Sequence, residues 1–224
     1  MRSIPRLVRP GRGEVSAQPS RSTSRDTVTE VSPQPISRFP LVPAADLPPD
    51  LRERFAAVAD ASGFLPNVFA ALAWRPAEAR AFFALHDALM DKDTPGLTVA
   101  DREVVVVATS AANDCLYCVV AHGALVRIRA HDRYLADQVA VDWRKAPLSE
   151  RMHAVVEVAV RLAVAPVTVV ADDLAALRAH GLTEDDVWDV GAIVSLFALS
   201  NRLVHWAAVP PNEEFHLMGR VPRS

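Results

Sequence analysis

The sequence predicts an all-α protein, one helical domain behind a disordered N-terminal extension, and three observations predict it. Beyond Ser37, Ala, Leu, Val and Arg recur at three-to-four-residue spacing nearly everywhere. Pro and Gly punctuate that pattern at the joints where helices start and stop. No series of alternating apolar and polar residues builds into a sheet. At 224 residues, 50% hydrophobic and 23% charged, the chain has material for one main core.

Met1 to Ser37 is rich in Arg, Ser and Pro and lacks the apolar stretch of about 7 to 15 residues that a secretory signal needs. Its reading is a disordered extension, although an Arg-rich, Ser-rich, acid-poor segment also fits an organelle transit peptide. The helical domain spans 38–210, and 211–224 is a C-terminal tail. Residues 48–61 open on prolines that suit a helix start, and Gly63 follows their end. Pro66-Asn67 begins a short helix through Ala73, and Pro76 begins a longer one through about Met90. Asp91 to Gly96 is a loop. Thr98 with Asp101 can cap a helix to about Ala111, because hydroxyl and carboxylate reach otherwise unpaired amides. Asn113 or Asp114 can cap the next, which runs to about Arg129 and carries Cys115 and Cys118 in its first turns. Ser149, Asp172 and Thr183 look like further starts. The β-branched run Val167 to Ala171 is too short for a sheet. The last long helix, Glu184 to about Trp206, is apolar on most sides, so it is central in the core or buried against another subunit.

Charge and composition exclude some partners. Residues 1–38 hold seven Arg, no Lys and three acids, which leaves 17 basic against 24 acidic residues beyond them, a charge of −7. That is a poor surface for nucleic acid. No apolar run of about 18 residues is free of charge, so no membrane span is expected.

Chemistry concentrates in one place. The chain has two cysteines, three apart in Cys115-Leu116-Tyr117-Cys118, too few for a secreted disulfide scaffold. At about 100° per residue on a helix, Cys118 lies about 300° and His122 about 340° round from Cys115, so all three share a face. The pair can cycle between dithiol and disulfide, since helical residues three apart approach the roughly 4.4 to 6.8 Å that a disulfide tolerates between α-carbons. A free thiol with a pKa near 8.5 is mostly protonated at neutral pH. Helix N-terminal amides favour negative charge at the cysteines, and His122 can accept or pass a proton. Glu103 sits on the preceding helix among Val104, Val105, Val106 and Val107, where a carboxylate faces solvent or meets a polar partner. Antiparallel packing can bring it to His122 or the thiols, to orient the imidazole in a proton relay.

The spacing of Glu103, eleven residues, Cys115, two residues, Cys118, three residues and His122 resembles the signature of the alkylhydroperoxidase D (AhpD-like) proteins of the carboxymuconolactone decarboxylase-like superfamily. Gly63-Phe64-Leu65-Pro66-Asn67-Val68-Phe69 and Phe197-Ala198-Leu199-Ser200-Asn201-Arg202 are similar to segments of its peroxidase-related members, so the likeness covers about residues 40–207. The resemblance implies an AhpD-like all-α fold, cytoplasmic location, homo-oligomers that are trimers or their multiples, and reduction of a hydroperoxide substrate without metal, haem or other cofactor. It also implies that Cys118 is the peroxidatic thiolate, Cys115 the resolving thiol, and Glu103 and His122 the proton relay, recharged by a dithiol reductant or lipoyl-type donor protein. The best-characterised pattern has a histidine between the cysteines where this chain has Tyr117, and a phenol with a pKa near 10 is a poorer proton carrier.

Other readings stand beside this one. A Cys-x-x-Cys also serves zinc, but a structural zinc site wants four ligands and no second Cys or His pair follows. His86, His131, His153, His180, His205 and His216 are scattered and read as packing or surface. Asn201 and Arg202, in an apolar helix, read as ties between helices or subunits, a buried Arg needing partners. Trp74, Trp143, Trp188 and Trp206 read as core or interface anchors. Two other functions fit the same fold: a lactone decarboxylase-type lyase, which would survive loss of both cysteines, and a non-catalytic redox-sensing oligomer.

Overall fold

Ten α-helices run through residues 35–220, the part of the protein described by this computed structural model. Nearly all of the expected N-terminal extension lies outside the described residues. The helices are α1 (Pro49–Ser62), α2 (Asn67–Leu72), α3 (Pro76–Met90), α4 (Val99–Ala112), α5 (Leu116–Arg129), α6 (Leu135–Asp142), α7 (Glu150–Val164), α8 (Ala171–Ala179), α9 (Glu184–Ala207) and α10 (Glu214–Leu217). No strand is present among the described residues.

The ends follow local chemistry. Pro sits in the first turn of α1 and α3, where its missing N–H costs nothing, and Gly63 ends α1 in the left-handed region at φ 89°. Thr98 with Asp101 and Thr183 with Asp186 form reciprocal caps on α4 and α9, and the Ser149 hydroxyl accepts from the Met152 amide on α7. The start expected at Asp172 falls at Ala171, where the Asp173 carboxylate accepts from the Val170 amide. The β-branched run before it is a 3-10 turn, Pro166–Thr168, and bends straight into α8.

Helix α4 is the axis of the fold. Val104 through Ala108 are buried on every side, with α5, α7 and α9 packed around them. A smaller apolar cluster joins α1, α2 and α3 through the rings of Phe55, Phe69 and Phe83. Another surrounds the cysteines with Tyr117, Ala121, Val204 and Phe215. Arg102, fully buried, donates to the carbonyls of Leu89 and Lys92 and pairs with Asp189 at 2.9 Å, locking the α3–α4 loop onto α9. Gly96 in that loop is required by close approach, since a Cβ there would stand 2.5 Å from Asp186 Oδ2.

Three expectations become more definite. Helix α9 buries Val190, Ile193, Phe197, Asn201 and Val204 on one side but exposes Trp188, Leu199, Leu203 and Trp206 on the other. It is long and apolar enough to cross a membrane, yet its inner side carries Asp186, Asp189 and Asn201 bonded within the protein, as in a core helix. No tryptophan is a core residue: Trp143 is half-buried, and Trp74, Trp188 and Trp206 are exposed. Arg202 is exposed as well and bonds the Ala198 carbonyl of its own helix, so within this chain it ties no two helices together. The C-terminal segment holds α10, with Phe215 buried, and Arg127 of α5 donates to the carbonyls of Phe215 and Met218.

Candidate active site

The turn between α4 and α5 sets the position of the sulfurs. Asp114 adopts the left-handed region at φ 54°, which suits a short polar side chain better than most, and the Cys115 amide then donates to the Ser110 carbonyl at 2.9 Å. The helix therefore starts one or two residues later than expected. Cys115 occupies the N-cap itself, in place of Asn113 or Asp114, and Cys118 is the third residue of α5. Both are reduced and buried. Cys118 and His122, four apart within α5, share its face.

Helix α9 holds this turn from the other side. Asn201, buried, donates to the Ser110 hydroxyl and accepts from the Asn113 side chain, both at 3.0 Å, and also hydrogen-bonds toward the two thiols. Ser200 places its hydroxyl 3.8 Å from the Cys118 sulfur. An apolar cleft of about 660 Å³ between α2, α3 and α9 reaches inward to Ser200, walled by Val68, Leu72, Phe82, Leu203 and Val204.

The electrostatics of the two sulfurs diverge. The Cys118 thiol hydrogen-bonds to Cys115 and, with the Cys118 amide, His205 and Asn201 adding to it against burial, brings Cys115 down to about 6. Cys118 is pushed the opposite way, first because its proton is held in that bond and then by burial. The pair thus releases one proton easily and retains the other. Tyr117 is a packing residue. Its ring meets Phe215, its hydroxyl accepts from the Val68 amide, and burial raises it beyond the usual phenol range.

Glu103 reaches the polar partner that its surroundings demanded. It is fully buried, and its Oε2 lies 2.7 Å from His122 Nδ1, joining α4 to α5. Arg129, in the last turn of α5, brings its guanidinium within 3.1 Å of Glu103 Oε1 as an ion pair that leaves this oxygen without a directed hydrogen bond. The same guanidinium binds the Met90 carbonyl and Asp91. A buried carboxylate is thereby balanced by an imidazole and a guanidinium. His122 packs edge-on against Phe197 at 4.7 Å, and His86 of α3 lies beyond it, ring centroids 6.4 Å apart.

Glu103 and His122 therefore meet directly, Cys115 and Cys118 stand at the start of the same helix in the turns before His122, and Ser200, Asn201, Arg129 and His86 surround the two pairs. Arg129 is seven residues after His122, two helical turns along one face, a signal available in the sequence. His86, read as packing or surface, had no local signal, since only the packing of α3 on α9 carries it there. His86, Asp87 and Asp91 bring metal-type ligand atoms within 4.8 Å of one another. Their carboxylates are already neutralised, Asp87 by two bonds from Arg54 at 2.7 and 2.8 Å and Asp91 by Arg129. What the arrangement can do chemically is cycle two thiols to a disulfide while a buried base moves protons.

Known proteins share this arrangement's frame. The sequence profile of the carboxymuconolactone decarboxylase family matches residues 76–133. An alkylhydroperoxidase AhpD core, a peroxidase-related protein from Ralstonia eutropha JMP134, is 53% identical, with 85% of this chain and 100% of that one covered and a TM-score of 0.82. A peroxidase-related protein from Silicibacter sp. TM1040 is 32% identical over the same shares, with a TM-score of 0.79. The debrominase Bmp8, at 16% identity, covering 83% of this chain and 96% of its own, with a TM-score of 0.67, shares the fold. No curated protein matches the chain.

Proposed function

This chain is an AhpD-like member of the carboxymuconolactone decarboxylase family, and from that membership we propose that it is a thiol peroxidase reducing organic hydroperoxides through Cys115 and Cys118. The observation that carries the proposal is the buried, reduced cysteine pair at the start of α5, one helical turn before the His122 that Glu103 holds at 2.7 Å.

The resting pair shares one proton, with Cys115 the more acidic of the two thiols. Transfer of that proton across their hydrogen bond makes Cys118 the thiolate, with Ser200 and Asn201 able to donate to it. The Cys118 sulfur attacks the terminal peroxide oxygen, the O–O bond breaks, and the alkoxide takes a proton from His122, whose imidazole Glu103 orients. Cys118 is then a sulfenic acid. The Cys115 thiol attacks it, a disulfide forms, and water leaves. A dithiol donor restores the pair by exchange. The apolar cleft ending at Ser200 supports a substrate with a hydrocarbon body. Cytoplasmic location and a lipoyl-type donor belong to the same proposal.

The test is consumption of hydrogen peroxide and tert-butyl hydroperoxide by the reduced protein, with thiols counted before and after. Two thiols lost in wild type, regained with a dithiol and retained in Cys118→Ser, is the expected result. Both thiols surviving peroxide would end the cysteine mechanism. Activity on a lactone that persists after both cysteines become serine would transfer the site to lyase chemistry.

A further inference from the structure

We propose that His86 is a positioning residue of this site, the second imidazole through which His122 exchanges its proton with water. The inference rests on the thiol-peroxidase reading for the direction of proton flow and on the geometry of α3 for the path.

The reaction moves a proton that the buried site must obtain from outside. Starting from one thiolate and one thiol, reduction of a hydroperoxide to an alcohol, with water and a disulfide, consumes one proton. Regeneration by a dithiol donor, which leaves as its disulfide, returns that proton. Both crossings start or end at groups cut off from solvent. Side-chain exposure is 0% at Glu103 and 12% at His122, but 25% at His86 and 39% at Asp87, so it rises steadily along one line. The rings of His122 and His86 are 6.4 Å apart, a gap that one bridging water spans. Phe82 stacks on the His86 ring and Phe197 packs edge-on against both imidazoles, fixing their mutual position.

The outer end is anchored too. His86 Nδ1 lies 3.4 Å from Asp87 Oδ1, and Arg54 of α1 grips Asp87. Directing one ring nitrogen outward leaves the other for exchange toward His122. The charged and titratable groups facing His86 are Asp87 beside it, Arg54 through Asp87, Asp91 from the end of α3 with its Arg129 partner, His122 from α5 and Glu103 from α4. Burial, followed by the neighbouring His122, holds His86 below the ordinary histidine range against the pull of the two carboxylates. It is therefore neutral at neutral pH, able to take a proton from water and pass it on, without adding a resting positive charge beside His122.

The experiment uses full-length His86→Gln and His86→Phe, the first preserving polarity and the second the packing on Phe82 and Phe197. Turnover of tert-butyl hydroperoxide and, separately, dithiothreitol reduction of the diamide-oxidised protein are followed in weak buffer and in rising imidazole. Both variants should be roughly tenfold slower than wild type in weak buffer, below the 10²–10⁴-fold of a group acting directly, and should regain the loss as imidazole rises. Wild type should respond little. Variants as fast as wild type in weak buffer, or slowed to an extent that imidazole leaves unchanged, overturn the proposal. If wild type consumes no hydroperoxide, the peroxidase reading falls, while the disulfide-reduction arm still decides the role of His86.

Discussion

A thiol hydrogen-bonded to a second thiol is the smallest unit that explains this site. Cys115 is held down to about 6 first by the Cys118 side chain, against a free thiol near 8.5. Because its folded value lies below the unfolded one, the thiolate contributes stability above the unfolded value, and this is lost as pH falls through about 6. Ultraviolet titration should therefore show one thiolate appearing around pH 6 and no second across the neutral range. Cys118→Ala should move that step upward by removing the donor. A single two-equivalent step near the free-thiol value would contradict the arrangement. The residue scale was legible in the sequence insofar as spacing alone placed Glu103, Cys115, Cys118 and His122 on two adjoining helices. Which of the two thiols is the more acidic was not, because it turns first on the direction of the bond between them and then on burial, with the distant His205 adding to it at Cys115.

At the scale of elements, the α4–α5 turn is the part that matters most. Helix starts and stops at Pro49, Gly63, Pro76, Thr98, Ser149 and Thr183 were readable because caps are local chemistry. The start of α5 was misplaced because Asp114 turns left-handed, in a turn that Asn201 holds from the far end of the chain by donating to Ser110 and accepting from Asn113. Asp114→Gly should be neutral or stabilising, whereas Asp114→Val should cost about 1–2 kcal/mol and slow thiol oxidation by shifting Cys115 off the N-cap. Chemical denaturation with a thiol count after peroxide checks both. Equal stability of the two variants would remove this turn from the account. Helix α6 escaped sequence reading altogether, being a short element that follows a polar turn.

Across the whole molecule, the unresolved matter is the outer side of α9. Trp188 is 77% exposed, and Leu199, Leu203 and Trp206 are exposed apolar residues further along the same helix, the kind of strip that marks an interaction surface. We propose that this strip is covered in a homo-oligomer. Size-exclusion chromatography with light scattering should give a mass above that of one chain. Trp188→Glu with Leu203→Glu should lower it toward one chain while circular dichroism stays unchanged. A concentration-independent monomer would refute assembly.

By itself the sequence determined the all-α class, most helix limits and the four-residue constellation with its family resemblance. Periodicity, capping and i, i+4 geometry act within a few residues, so they can be read along the chain. Only the tertiary structure decided that Arg129 balances Glu103, that Ser200 and Asn201 meet the thiols, that His86 stands beside His122, and that Arg202 and three tryptophans lie outside the core. Those facts depend on how α3 and α9 pack on α4 and α5, where partners far apart in the chain meet and burial changes what each group can do.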